Sequence, residues 1–224
     1  MNNLTLLIPA HREAESLPIF LTELAKYNCE KLIVLQKEDK DTIESISHIS
    51  NVKIFTQEKN GYGNALKEGI REIKTEYFCI INADGSMDPK YLNEMLNECK
   101  NRDLVFATRY LDGGGSDDDN IVTFLGNKIF TKMGNILFDL NLSDILYTYI
   151  LGKTETAKKL GLIYNDFRIC VEIPIKAKRN LLNYSSLPSK ERKRIGGEKK
   201  VNALKDGFLI LTAITILFIK KFLK

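Results

Sequence analysis

The chain has 224 residues, is 44% hydrophobic and carries a net charge of +4, which fits one domain with a substantial core and at most a short appendage. So mild a charge gives no ground for a nucleic-acid partner. Cys29, Cys79, Cys99 and Cys170 are scattered without a Cys-x-x-Cys pair, which fits reduced, partly buried thiols in a cytosolic setting better than a disulfide framework.

Met1-Asn2-Asn3-Leu4 runs directly into a strand, with no signal-peptide pattern. Residues 4–8 form an apolar run of buried-strand type that Pro9 ends. Ala10, His11, Arg12 and Glu13 follow as a polar turn, and Leu17, Phe20, Leu21 and Leu24 recur at helical spacing. A strand, a polar turn and a helix N-terminus make a corner suited to anions. Glu13 reads either as a first-turn carboxylate favoured by the helix dipole or as a ligand contact. Residues 31–35 predict a second strand leading into a solvated turn at Gln36, residues 42–50 a short helix, and residues 52–55 a third strand. Strands alternating with helices at this spacing imply a parallel sheet with right-handed crossovers.

Residues 59–65 are a glycine-rich loop opening a helix over 65–73. Gly61 and Gly63 permit positive φ and close backbone approach. The third glycine of a dinucleotide fingerprint and the Lys-Ser/Thr ending of a P-loop are both missing, which sets aside a Rossmann dehydrogenase and a nucleoside triphosphatase. Residues 77–81 are a second buried-strand run, which breaks abruptly into Asn82, Ala83, Asp84, Gly85 and Ser86. Asp88 then reads as an N-cap with Pro89 at the first helical position. Oxygen-bearing side chains thus gather at the carboxyl end of a buried strand, where open α/β sheets bind ligands. Asn82, Asp84 and Ser86 can converge on Mg²⁺ or Mn²⁺, cations that bring diphosphate oxygens with them. A plain strand-ending turn uses the same residues.

Leu92, Met95, Leu96 and Cys99 give a further helix face, and residues 104–108 a strand leading to Arg109. Residues 111–120, with three glycines and four acids, read as a solvated linker or as a lid. Helical periodicity resumes over 121–140, and Asp144 lies in a polar break before an apolar run. Residues 154–160 predict a short helix, and 166–178 one kinked at Pro174 with Glu172 inside it. A carboxylate in that apolar setting is either paired or functional. Residues 184–187 predict a strand. The chain then turns basic through Arg192, Arg194, Lys199 and Lys200 around a Gly-Gly pair. This stretch reads as a solvated face or as a phosphate or lipid-headgroup site, and it lacks the interleaved aromatics of a nucleic-acid binder. Residues 207–219 are apolar and uncharged. As a helix they reach roughly 20 Å, short of a hydrocarbon core of roughly 30 Å. They predict a helix that lies in a membrane interface, docks on another subunit, or packs on the sheet.

In their order and spacing, Pro9-Ala10-His11-Arg12-Glu13, Asn60-Gly61-Tyr62-Gly63-Asn64, Asn82-Ala83-Asp84-Gly85-Ser86, Thr108-Arg109-Tyr110 and Arg194-Ile195-Gly196-Gly197 resemble the inverting family 2 glycosyltransferases of GT-A type. Within them the chain is most similar to the dolichol-phosphate mannosyltransferase, or polyprenyl-phosphate, branch. The resemblance covers residues 4–211. It implies a GT-A α/β fold over residues 1–205, with a mostly parallel central sheet flanked by helices, and a C-terminal apolar helix over 206–224 that is membrane-peripheral or packing. It implies sugar transfer from a nucleotide-diphosphate sugar to a polyprenyl-phosphate-type lipid or to a cell-envelope glycan. The implied setting is the cytoplasmic face of the inner membrane, and a homodimer is compatible with it.

The resemblance also implies roles. Pro9, Ala10, His11, Glu13 and Gln36 belong to the donor side, as do Gly61, Gly63, Asn64, Asn82 and Ala83. Asp84 matches the second acid of the Asp-x-Asp motif and, with Asn82 and Ser86, would hold Mg²⁺ or Mn²⁺. Arg109 would meet phosphate charge, a task its planar fork suits. Arg192, Arg194, Lys199 and Lys200 match the region facing an acceptor phosphate. Asp144 and Glu172 are the candidate general bases, needed for a hydroxyl acceptor but not for an ionised phosphate. Two departures stand out. Asn82 replaces the first acid, and Leu35-Gln36-Lys37-Glu38 stands where the family often has Asp-Asp-Gly-Ser. They leave UDP against GDP undecided and keep a non-catalytic sugar-nucleotide-binding or scaffold role as the alternative.

Overall fold

The computed structural model describes residues 1–197, 200 and 202–220. In chain order its strands are β1 (Leu4–Pro9), β2 (Glu30–Leu35), β3 (Lys53–Thr56), β4 (Tyr77–Ile80), β5 (Leu104–Thr108), β6 (Gly115–Ser116), β7 (Ile150–Lys153), β8 (Tyr184–Pro188) and β9 (Lys190–Glu191). Its helices are α1 (Leu17–Leu24), α2 (Lys40–Ile46), α3 (Tyr62–Glu72), α4 (Leu92–Cys99), α5 (Ile121–Phe138), α6 (Thr154–Lys158), α7 (Ile169–Arg179) and α8 (Ala203–Ile219).

Seven strands form one sheet in the order β3-β2-β1-β4-β7-β5-β8. The pairs on either side of β1 are parallel, with Ile8 opposite Ile33 and Leu7 opposite Ile80. Strand alternation divides the core into two layers. Leu4, Leu6 and Ile8 face α1 and α4, among Phe20, Leu24 and Met95. Leu7, Val34 and Ile80 face the other layer, among Leu66, Ile70, Val171 and Ile214. Covering both faces explains why β1 is buried at all six positions and reads as an unbroken apolar run.

The main departure from the expected architecture is β7, which runs antiparallel between β4 and β5, with Leu151 opposite both Cys79 and Val105. Helix limits also shift. Asp88 does accept from Lys90 N at 3.0 Å, but the first turn, Pro89–Tyr91, is a 3-10 turn and α4 begins at Leu92. Helix α3 starts at Tyr62, inside the glycine loop, and α7 starts only at Ile169. The acidic loop is pinned rather than free: β6 pairs with β9 in a two-stranded sheet. Helix α8 packs through Ile210, Ala213, Ile214 and Leu217, so it belongs to the core of the domain.

Two predicted site features are structural. A Cβ on Gly63 would come within 2.7 Å of the carbonyl oxygens of Tyr164 and Asp166, and one on Gly61, at φ +123, would overlap the Asn165 carbonyl. The close approach these glycines permit is thus used by the chain itself, with Asn64 N donating to Asn165 O at 3.0 Å, although Gly61 also lines the cavity described below. The Asn64 side chain bonds Lys59 O and Glu68 Oε1, both at 2.6 Å. Glu172 is fully buried. Its carboxylate accepts from Ile163 N at 2.9 Å and Tyr164 N at 3.0 Å and pairs with Lys176 at 2.8 Å. It clamps the turn that caps α3 and does not line the pocket described below. A buried amide in its place would present an N–H to backbone N–H groups. Glu172→Gln is therefore expected to lower the unfolding free energy by about 2–3 kcal/mol, read as a fall in the urea midpoint at constant slope. An unchanged midpoint would refute the clamp.

Candidate active site

The carboxyl ends of β1, β4 and β5 open onto a cavity of about 450 Å³. A broader concavity of about 1130 Å³, near Asn2, Glu30 and Lys53, lies at the amino-terminal edge of the strands. There Lys53 pairs with Glu30 at 2.8 Å and Lys31 bonds the Tyr27 and Cys29 carbonyls, whereas Asp84, Glu13 and Glu191 converge on the cavity at the carboxyl end, where the site is placed.

Asp84 lines that cavity, four residues beyond the end of β4. Its Oδ1 accepts from Ser86 N at 3.0 Å and Ser86 Oγ at 2.8 Å, and its Oδ2 faces Arg194 Nη1 at 3.6 Å. Asn82 also lines the cavity, its Oδ1 accepting from the Tyr62 hydroxyl at 3.3 Å, and the same hydroxyl lies 2.5 Å from Thr148 Oγ1. No cluster of three metal-ligating His, Cys, Asp or Glu side chains exists among the described residues. The donor set here is one carboxylate with neutral oxygens. It fits Mg²⁺ or Mn²⁺ in the manner of sites that take one or two carboxylates from the protein and the rest from phosphates and water.

The β1 turn supplies a second wall. Arg12 sits at φ +55, and its N donates to Asp39 Oδ2 at 2.6 Å. That turn presents Pro9, Ala10, His11 and Glu13 to the cavity, and Gln36 lines it from the end of β2. His11 Nδ1 is buried without a partner among the described residues, and burial lowers its pKa, with Asp39 opposing and Arg12 and Lys200 assisting. Glu13 is pushed up by burial, against its bond from Ser16 Oγ at 2.5 Å, and Lys200 Nζ lies 3.7 Å away.

Arg109 does not hold its fork open for a phosphate. Its Nε and Nη2 grip both oxygens of Asp144 at 2.7 and 3.1 Å, and Nη1 donates to Glu191 Oε2 at 3.1 Å. Asp119 is 3.7 Å away, and the Tyr147 ring packs 4.7 Å from the guanidinium. Asp144 is wholly buried and also accepts from Asn127 Nδ2 at 2.5 Å. A general-base role does not fit a carboxylate so fully engaged. Glu191, at the cavity wall, has its pKa raised by burial, with Arg109 and Ser116 opposing.

Of the basic residues, Arg194 and Lys200 line the cavity, while Arg192 is held outside it by Glu23 and the Gly85 carbonyl. Lys199 lies outside the described residues. Sequence reading missed Tyr62, Thr148, Asn127, Asp118 and Glu191. Asp118 sits in an acidic run and Glu191 in a basic one, compositions that read as solvated surface.

Comparison with known proteins gives relatives consistent with this site. The chain is 30% identical over 107 residues to uncharacterized glycosyltransferases of Mycobacterium tuberculosis and Mycobacterium bovis, covering 47% of this chain and 48% of each of them. It is 24% identical over 185 residues to a dolichol-phosphate mannosyltransferase of Pyrococcus furiosus, covering 78% of this chain and 53% of that one. The chain thus spans about half the length of the curated relatives it matches. Among solved structures, glucosyl-3-phosphoglycerate synthase of Mycobacterium tuberculosis, in complex with Mn²⁺, UDP and glucosyl-3-phosphoglycerate, superposes with a TM-score of 0.74 at 12% identity, over 96% of this chain and 79% of that one. Mannosyl-3-phosphoglycerate synthase of Rubrobacter xylanophilus gives 0.69 at 13%, over 97% and 73%. These superpositions show a shared GT-A fold. Residues 5–161, more than half of the chain, match the family model of glycosyl transferase family 2, and the chain belongs to that family.

Proposed function

We propose that the chain transfers a sugar from a nucleoside-diphosphate sugar to the phosphate of a polyprenyl-type lipid at a membrane surface. The observation that carries the donor half is Asp84 at the carboxyl end of β4, oriented by Ser86 and faced by Arg194, inside a pocket that His11 and Lys200 also line. Asp84 and Asn82 would hold Mg²⁺ or Mn²⁺, which when bound neutralises the leaving diphosphate. The mainly apolar pocket walls strengthen every charge interaction inside it. Arg194 and Lys200 add positive charge beside Asp84 and Glu13.

Two features support a lipid-phosphate acceptor. Asp144 and Glu172 are both committed to ion pairs, which suits an acceptor that is already ionised and needs no base. The pocket also opens onto apolar surface. Thr123 and Asn127 of α5 and Ile210 of α8 line it. Beside them Ile121, Val122, Leu125 and Ile129 of α5 and Leu204, Phe208 and Leu211 of α8 are exposed. Lys128, Lys132 and Lys205 on the same two helices are exposed as well, a pattern suited to an anionic membrane surface. No helix among the described residues is long and apolar enough to cross a membrane. In this reading residues 1–205 bear the chemistry, and the segment from 206 onward, by way of α8, contributes the membrane-facing edge.

Three measurements test it. UDP or GDP with Mn²⁺ is expected to raise the melting temperature of the wild type by mass action, and Asp84→Asn should lose the metal-dependent part of that shift. A shift equal in both proteins would remove Asp84 from the donor site. Product analysis should find sugar on polyprenyl phosphate, and transfer only to sugar hydroxyls would overturn the acceptor. Phe208→Glu is expected to abolish flotation with anionic liposomes while leaving the fold intact, because Phe208 is 66% exposed. Unchanged flotation would take α8 out of the membrane contact.

A further inference from the structure

The segment that follows β9 crosses directly over the loop that carries Asp84. Arg192 N donates to Ser86 O and Ile195 N to Asp84 O, both at 2.8 Å. The Arg192 guanidinium fixes this crossing from outside, with two bonds of 3.0 Å to Glu23 and one of 2.7 Å to Gly85 O. Between these anchors the Arg194 side chain turns inward. It bonds Asp118 Oδ2 at 2.8 Å and leans on Asp84 Oδ2 at 3.6 Å.

The two contacts are unequal, and the inequality is informative. At 2.8 Å the Asp118 arm is a charge-assisted hydrogen bond, whereas at 3.6 Å the Asp84 arm is only a charge contact. Oδ1 of Asp84 is already taken by Ser86 N and Oγ. The one oxygen of Asp84 left for a cation is therefore the oxygen that Arg194 faces. A guanidinium and a divalent cation that share one carboxylate oxygen repel each other across a few ångströms of weakly screening protein. A diphosphate changes the balance, because it supplies several anionic oxygens that both cations can use.

We propose that Arg194 competes with the divalent cation for Asp84 Oδ2, and that the donor diphosphate resolves the competition by drawing Arg194 off Asp84 and onto its own oxygens. Arg194 then belongs to the leaving-group side of the site rather than to the acceptor side. The exchange needs only a side-chain swing, since the backbone is held at Arg192 and Ile195 and Asp118 serves as the pivot. Metal affinity in this arrangement is low without nucleotide and high with it. No step of the transfer is changed. What is added is the order in which charge is assembled.

The inference rests on the donor-site reading of Asp84, and the experiment separates the two. Free Mn²⁺ is titrated by its electron paramagnetic resonance signal against wild type, Arg194→Gln, Arg194→Lys and Asp84→Asn, with no nucleotide and then with saturating UDP or GDP. Without nucleotide, Arg194→Gln is expected to bind Mn²⁺ about five- to tenfold more tightly than wild type. With nucleotide the order should reverse by a similar factor, and Arg194→Lys, which keeps the charge but not the fork, should fall between them in both series. Binding by Arg194→Gln that is no tighter than wild type in the absence of nucleotide overturns the competition, while loss of binding in Asp84→Asn leaves the donor site standing. Wild-type Mn²⁺ affinity in Asp84→Asn overturns the donor-site reading and the exchange together.

Discussion

One buried guanidinium holds the far wall of the pocket together. Arg109 leaves the end of β5 and meets Asp144, Glu191 and Asp119, which reach it from the chain before β7, from β9 and from the acidic loop. Removing such charges from water is costly, so the cluster persists only because nearly every donor finds an acceptor at good geometry. Asn127 extends the network into α5 through Asp144, and Ser116 Oγ extends it into β6 through Glu191 at 2.5 Å. Five separate segments therefore share one ion cluster. Buried pairs of this kind contribute little net stability over an apolar replacement, but breaking one partner out is expensive. Here they fix where β9 lies, and through β9 the segment that lies over Asp84.

The pocket consequently has a rigid side and an exchangeable side. On the rigid side Arg109 and Asp144 are joined by two hydrogen bonds of 2.7 and 3.1 Å. On the other side Arg194 meets Asp84 at 3.6 Å and Lys200 meets Glu13 at 3.7 Å, distances at which a ligand's anionic oxygens compete on favourable terms. Admission and release of the charged donor proposed above would need this asymmetry. Its chemistry requires fixed dipoles where charge develops, whereas its entry requires contacts weak enough to trade.

How far the residues alone disclose this arrangement depends on the reach of each signal. The strands β1, β4 and β5 are continuous apolar runs ended by Pro9, Asn82 and Arg109, so they read directly. Strand β7 does not, because its pairing is dictated by its neighbours. Gly152 is there to let Phe78 and Leu104 pack across it, a Cβ falling 2.9 Å from Phe78 Cε1, and a glycine in a short apolar run suggests a turn. β6 and β9, two residues each, are below any periodicity. Within the site, Asp84 follows from its place after a buried strand. Asp144 and Glu172 are recognisable as unusual, but the choice between paired and functional turns on partners remote in sequence. The fork of Arg109 illustrates this. It looks free for phosphate until acids 35 and 82 residues away are brought to it. Gly63 likewise looks like a ligand cradle until the Tyr164 and Asp166 carbonyls are seen to fill it, while Gly61 both meets Asn165 and lines the cavity.

The departure at Asn82 acquires a physical sense in this setting. Two acids at positions 82 and 84 would place two negative charges on a floor that Arg194 faces at 3.6 Å. Without metal they would repel each other or draw the overlying segment down more firmly. With Asn82 the floor carries one charge, which Arg194 offsets at 3.6 Å while still bound to Asp118. Asn82 instead keeps a neutral oxygen, oriented by Tyr62, that can ligate a cation without adding charge. The resting floor then carries one negative charge fewer than two acids would give it, and in the exchange proposed above the large electrostatic change is deferred until cation and diphosphate arrive together. A weaker intrinsic metal site and a loosely held arginine are two aspects of one charge balance.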